Sequence, residues 1–139
     1  MYEHILIPTD GSEGASRGVD HGLDIAVKYG ATVHVLYVVD EAHHATPALS
    51  SEELFIEKCE DVGEEILEAV VERAEEAGLE VVTTCVRGVP YQAIREYVDE
   101  HEIDLIVMGI HGQSALQRPH IGSTTDRVVR TVEVPVLPV

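Results

Sequence analysis

The sequence predicts an α/β fold: a single doubly wound parallel five-stranded sheet with helices on both faces. Three observations predict it. Strand and helix signals alternate along the whole chain, which argues for parallel strands joined by crossover helices. The strand segments are short apolar runs without in–out alternation, as expected where both faces of a sheet are covered. No internal repeat, linker or low-complexity tract interrupts the pattern, and 139 residues suit one domain over 1–139.

Each element has its own signal. "HILIP" (4–8) is a short apolar run, and the turn-rich "TDGSEG" follows it. In "SRGVDHGLDIAVKYG", Val19, Leu23, Ala26 and Val27 fall at helical spacing, and Gly30 reads as the helix stop. "TVHVLYVVD" (32–40) is rich in β-branched residues and reads as a buried strand, with "EAHHATPAL" an irregular loop after it. The longest helix is expected from Ser50, whose spacing to Glu53 is that of a capping box. Ile56, Cys59, Gly63, Ile66, Val70 and Ala74 make its apolar stripe, and glutamates make the solvated face opposite.

"LEVVTTCVRG" (79–88) reads as the third strand. Pro90 suits the first turn of the next helix, where Ala93, Ile94, Tyr97 and Val98 form an apolar face. "IDLIVMG" (103–109) is the fourth strand, "STTDRVVRTV" a short helix and "VPVLPV" (134–139) the last strand. Pro135 and Pro138 lack N–H donors, which places that strand at an edge.

Composition narrows the function classes. A chain of this size buries about 68% of its unfolded surface, enough for a real core. No apolar run approaches the roughly 18 residues of a membrane helix, and no leader pattern opens the chain, so a soluble, cytoplasmic protein is expected. Cys59 and Cys85 form no CxxC and read as small buried hydrophobes. Twenty-six acidic residues against nine basic ones give a net charge of −17, and Lys28 and Lys58 are the only lysines. Such self-repulsion weakens a compact state at low salt, but at about 1 M salt the screening length falls to roughly 3 Å. A salt-rich, halophilic cytoplasm is the expectation, and full folding without added salt would contradict it. A nucleic-acid partner is disfavoured, because phosphate backbones need basic patches.

Doubly wound sheets bind ligands outside the carboxyl ends of their strands, where strand order reverses. Three strand ends carry suggestive residues: Pro8-Thr9-Asp10-Gly11-Ser12, Val38-Val39-Asp40, and "MGIHGQSALQRPHIGST" from Met108 to Thr124. The last is a long strand-to-helix connection, since most such connections take about 2–6 residues. Gly109 ends a strand, where a missing Cβ lets a ligand approach the backbone. Gly112 permits a second close approach, and Gly122, Ser123 and Thr124 stand where the next helix begins. A helix start offers free N–H groups and a partial positive charge to phosphate. Arg118 is the certain cation of this stretch, and His111 and His120 are further candidate donors. Two tight turns and a helix cap would use the same glycines. Neither GxxxxGK[ST] nor GxGxxG is present.

With these residues the whole chain resembles the universal stress protein family. "ILIPTDGSEGA" looks like that family's opening, "VLYVVD" like its second strand and "RGVP" like the turn before its third helix. Its nucleotide-binding signature, G-x2-G-x9-G-[ST], is matched by Gly109, Gly112, Gly122 and Ser123. The resemblance implies a Rossmann-like fold and ATP binding, with AMP or ADP as open competitors and Mg²⁺ alongside. Carried over, Pro8 and Asp10 flank the nucleoside, Thr9 lies between them, and Asp10 stands near the ribose or a phosphate-bound metal. Val38 offers its backbone to the base, Met108 and Gly109 lie against the nucleotide, and Gly112, Gly122, Ser123 and Thr124 hold the phosphates. Pro119-His120 and Ile110 depart from what members often carry there. The resemblance also implies a homodimer through residues 134–139.

Other residues read more plainly. Asp10 is either a ligand contact or a helix cap. His43-His44 has no third ligand at metal spacing, and His34 reads as a packed, hydrogen-bonded histidine. Arg127 and Arg130 are expected to face solvent or acidic neighbours. No Walker-B carboxylate and no nucleophile–base pair is evident. The leading expectation is an ATP-binding, homodimeric, nucleotide-dependent stress-response regulator. A slow ATPase or nucleotidyl-transfer enzyme in the same pocket and a nucleotide-free dimerisation module are the alternatives.

Overall fold

A computed structural model of the chain describes residues 1–40, 49–110 and 122–139, with the backbone alone for 49–56. The elements run β1 (His4–Pro8), α1 (Glu13–Tyr29), β2 (Thr32–Asp40), α2 (Leu49–Glu76), β3 (Val81–Gly88), α3 (Pro90–Glu100), β4 (Leu105–Met108), α4 (Ser123–Thr131) and β5 (Val136–Pro138). The strands form one parallel sheet in the order β3-β2-β1-β4-β5. The expected fold class is thus the observed one, and β5 lies at an edge as its prolines require.

Strand pleating sends alternate residues to opposite faces. Ile5, Ile7, Val33, Val35, Leu105 and Val107 pack under α1 and α2. Leu6, Leu36, Ile106 and Met108 pack under α3 and α4. Both faces are covered, so the central strands need apolar residues at every position. The stripe expected on α2 is present at Gly63, Val70 and Ala74, with Leu67 added to it. Gly63 is small because the ring of Tyr37 occupies the place of its missing side chain.

Several boundaries move for local reasons. α1 begins at Glu13, earlier than the periodicity suggests, because Ser12 caps it by accepting from the Ala15 N–H at 3.1 Å. Gly30 stops it in the left-handed conformation, φ 65°. Pro90 opens α3 as expected. β4 starts two residues late, at Leu105; just before it the Asp104 N–H donates to the His4 carbonyl at 3.0 Å and the Asp104 carboxylate accepts from the Glu3 N–H at 2.8 Å. The loop over 41–48, His43-His44 included, and the side chains of Ser50, Glu53 and Ile56 lie outside the described residues.

Candidate functional site

β1 pairs with β2 on one side and β4 on the other, and the chain leaves toward opposite faces from these two neighbours. The carboxyl ends of β1 and β4 therefore border the crevice at which sheets of this kind take ligands.

The β1 end is shaped by its own side chains. Pro8 pairs with Leu36, and the Thr9 N–H donates to the Leu36 carbonyl at 2.9 Å. Thr9 Oγ1 then accepts from the Gly11 N–H at 3.2 Å, and Asp10 Oδ1 from the Ser12 N–H at 2.9 Å. These short-range bonds turn the chain away from the sheet and into α1. Gly11 makes the turn at φ +81°, and a Cβ there would meet Ile66 of α2 at 2.6 Å. Of the two readings of Asp10, the cap is excluded: Ser12 caps α1, and Asp10 shapes the turn before it.

β2 runs past the end of β1. Its residues Tyr37–Asp40 pair with Cys85–Gly88 of β3 alone. Main-chain polar groups in a strand alternate between neighbours. Leu36 faces β1, so the N–H and C=O of Val38 point to the side where β1 has already ended. Tyr37, on the opposite face, is pushed above its usual pKa by burial, with Cys59, Cys85 and Asp10 adding negative potential. It stays a neutral phenol. Cys59 and Cys85 are half-buried and free, more exposed than expected. Burial, with Glu60 and Glu64, pushes the Cys85 thiol up against the pull of Arg87, which keeps it protonated and unreactive.

The β4 end meets two helices. Gly109 has the backbone of α1 against it: a Cβ would overlap the Gly14 carbonyl, and one on Gly18 would lie 3.0 Å from the Gly109 nitrogen. Its lack of a side chain serves this helix–strand approach. The expected open approach for a ligand at that Cβ position is thereby corrected. Beyond it, the Ile110 carbonyl accepts from the Gly122 N–H at 2.6 Å, which brings the start of α4 to the end of β4. Gly122, which has no side chain to cap with, stands at the N-cap of α4, and among the described residues no side chain bonds to the first turn. Ser123 is exposed and Thr124 half-buried. Thr125 is buried, and its hydroxyl donates to the Gly109 carbonyl at 2.8 Å.

Residues 1–139 match the model of the universal stress protein family. The chain belongs to that family. Universal stress protein MJ0531 of Methanocaldococcus jannaschii is 39% identical over 138 residues, covering 99% of this chain and 81% of that protein. The solved structure of MJ0577, also from Methanocaldococcus jannaschii, overlays with a TM-score of 0.85 at 32% identity, covering 100% of this chain and 96% of that one. A universal stress protein solved in complex with cAMP overlays with a TM-score of 0.64 at 27% identity, covering 99% and 96%.

In this universal stress protein, the structure brings Pro8, Thr9, Asp10, Val38, Met108, Gly109, Gly122, Ser123 and Thr124 to the carboxyl side of the sheet, around the switch point. His111, Gly112, Arg118, Pro119 and His120 lie outside the described residues. Arg130 pairs with Asp126 at 3.1 Å, as expected of a helix-surface arginine. Arg127 is exposed, as expected, and also lies over the Tyr91 ring, 5.0 Å from its centroid. Sequence reasoning missed Thr125, because three hydroxyl residues in a row give no sign of which one turns inward. Ser12 had a signal that went unused: a Ser followed by Glu, ahead of a helical pattern. Among the described residues no helix is long and apolar enough to cross a membrane, and no group of three His, Cys, Asp or Glu side chains could hold a metal ion.

Proposed function

We propose that this universal stress protein binds a nucleotide, ATP with Mg²⁺, in the crevice between β1 and β4, and acts as a homodimeric regulator whose nucleotide state a partner reads. One observation carries the reading: the start of α4, which no side chain caps among the described residues, is tied to the end of β4 by the 2.6 Å hydrogen bond from the Gly122 N–H to the Ile110 carbonyl. The first N–H groups of a helix have no partner within it, and together with the helix dipole they favour an anion. Ser123 and Thr124 add hydroxyls there. The Val38 backbone supplies a donor and an acceptor for a base, and Pro8 and Asp10 border the nucleoside. The relative solved with cAMP supports a nucleotide as the ligand class. With a net charge of −17 the chain repels phosphates, and Mg²⁺ near Asp10 would offset that charge.

The partner surface is the β5 edge. Val139 N–H donates to the Met108 carbonyl, and the Ile110 N–H to the Val139 carbonyl, both at 2.9 Å, so Val139 faces β4. By alternation Val136 and Pro138 face outward. A second copy can therefore pair with the N–H and C=O of Val136 and the C=O of Pro138, and the apolar side chains carry the rest.

Thermal melting in molar KCl, with and without Mg-ATP, on wild type and Gly122→Val tests the nucleotide reading. Gly122 has φ −61° and ψ 156°, which any residue adopts, so the variant changes the ligand surface without backbone strain. Ligand at about a hundred times Kd adds roughly 2.7 kcal/mol, or a rise of about 5–10 °C. A rise in wild type that the variant loses supports the reading. No rise in either, with wild type folded, overturns it. AMP, ADP and cAMP in the same assay rank the ligands.

A further inference from the structure

Thr125 does something that its neighbours in the Ser-Thr-Thr run do not. Its side chain is 3% exposed, and Oγ1 donates to the Gly109 carbonyl at 2.8 Å. The N–H of that same peptide unit, belonging to Ile110, donates in the opposite direction to the Val139 carbonyl at 2.9 Å. One peptide just past β4 is therefore gripped at both ends, by α4 through its oxygen and by the end of the β5 edge through its nitrogen. The next carbonyl, that of Ile110, receives the Gly122 N–H at 2.6 Å. On the other side Gly109 is walled by the α1 backbone at Gly14 and Gly18, so it cannot follow a shift of α4.

We infer that Thr125 is a positioning residue for the phosphate end of the site, an inference that rests on the nucleotide reading above. Its hydroxyl fixes where the Ser123 and Thr124 N–H groups stand relative to the end of β4. Val128, fully buried one turn later, anchors the body of α4 by packing. Packing holds the helix in place, whereas the directional Thr125 bond sets the position of its first turn. Hydrogen bonds to a phosphate weaken steeply with misalignment, so a loosened first turn costs affinity before it costs the fold.

Calorimetric titration of Mg-ATP into wild type, Thr125→Val and Thr125→Ser in molar KCl, with melting curves of each, tests this. Val keeps the shape and removes the donor; Ser keeps the donor. The expected result is a Kd weakened about fivefold to tenfold in Thr125→Val, the size of one lost hydrogen bond, and restored to near the wild-type value in Thr125→Ser. If Thr125→Val does not fold, Thr125→Ala carries the same comparison without the β-branched bulk. A folded donor-less variant with wild-type Kd overturns the positioning role and leaves the nucleotide reading standing. A wild type that binds no nucleotide overturns both. Equal weakening in Ser and Val, tracking their loss in melting temperature, assigns Thr125 to stability alone and overturns the inference.

Discussion

Nδ1 of His34 lies 2.8 Å from the Tyr97 hydroxyl, while Nε2 of the same ring lies 3.1 Å from Nδ1 of His4. A buried histidine on β2 thus ties the start of β1 to the last turn of α3, at the amino end of the sheet, away from the crevice between β1 and β4. His101 closes the cluster by stacking on Tyr97 at 3.8 Å between ring centroids, with its Nδ1 3.1 Å from the Tyr97 carbonyl oxygen. Asp104 borders it through the Glu3 and His4 N–H groups.

This relationship predicts a pH dependence. Burial, then the neighbouring His4 and His101, push the His34 pKa from 6.5 down to about 4. Between those values the unfolded chain binds the proton and the folded chain does not, so stability falls as pH drops through that window. From neutral pH to about pH 5 the loss from His34 is about 2 kcal/mol. Urea unfolding of wild type and His34→Gln at both pH values should show a loss smaller by that amount in the variant. Equal losses would mean that His34 is not the titrating group.

Gly109→Ala places a methyl on the Gly14 carbonyl, where neither backbone can yield cheaply. Overpacking of this kind costs about 1–3 kcal/mol, and the upper part of that range is expected because the obstacle is main chain. A melting temperature of Gly109→Ala within a degree or so of wild type would show that α1 is not seated on β4 as described.

The β5 edge offers a partner only one outward N–H, that of Val136, because Pro138 has none. Val136→Pro should therefore abolish self-pairing while β5 keeps its bonds to β4, and light scattering should report a monomer beside a dimeric wild type. A dimeric variant would place the interface elsewhere, and a monomeric wild type would remove the dimer from the proposal.

Much of the architecture was legible because its causes are local. Apolar runs and helical spacing marked every element, Gly30 and Pro90 marked a stop and a start, and Pro135 and Pro138 marked an edge. The family signature marked the strand ends that border the crevice. The reason for Gly109 was not legible, since a glycine that admits a ligand and one that admits a helix look alike in one dimension. The same holds for Asp10, where a turn and a cap use the same side chain one or two residues apart.

What the sequence by itself determined is the alternation of elements, the coverage of both sheet faces and the strand ends that border the crevice. These depend on periodicity and on φ, ψ limits within a few residues. Only the tertiary structure decided that Thr125, and not Ser123 or Thr124, reaches back to Gly109. It alone decided that the Gly109–Ile110 peptide is shared between α4 and the β5 end, and that His34 joins His4 to Tyr97. Those pairings span many residues of chain. They arise from how the sheet order stacks α1 and α4 against the end of β4, a packing outcome that no local pattern encodes.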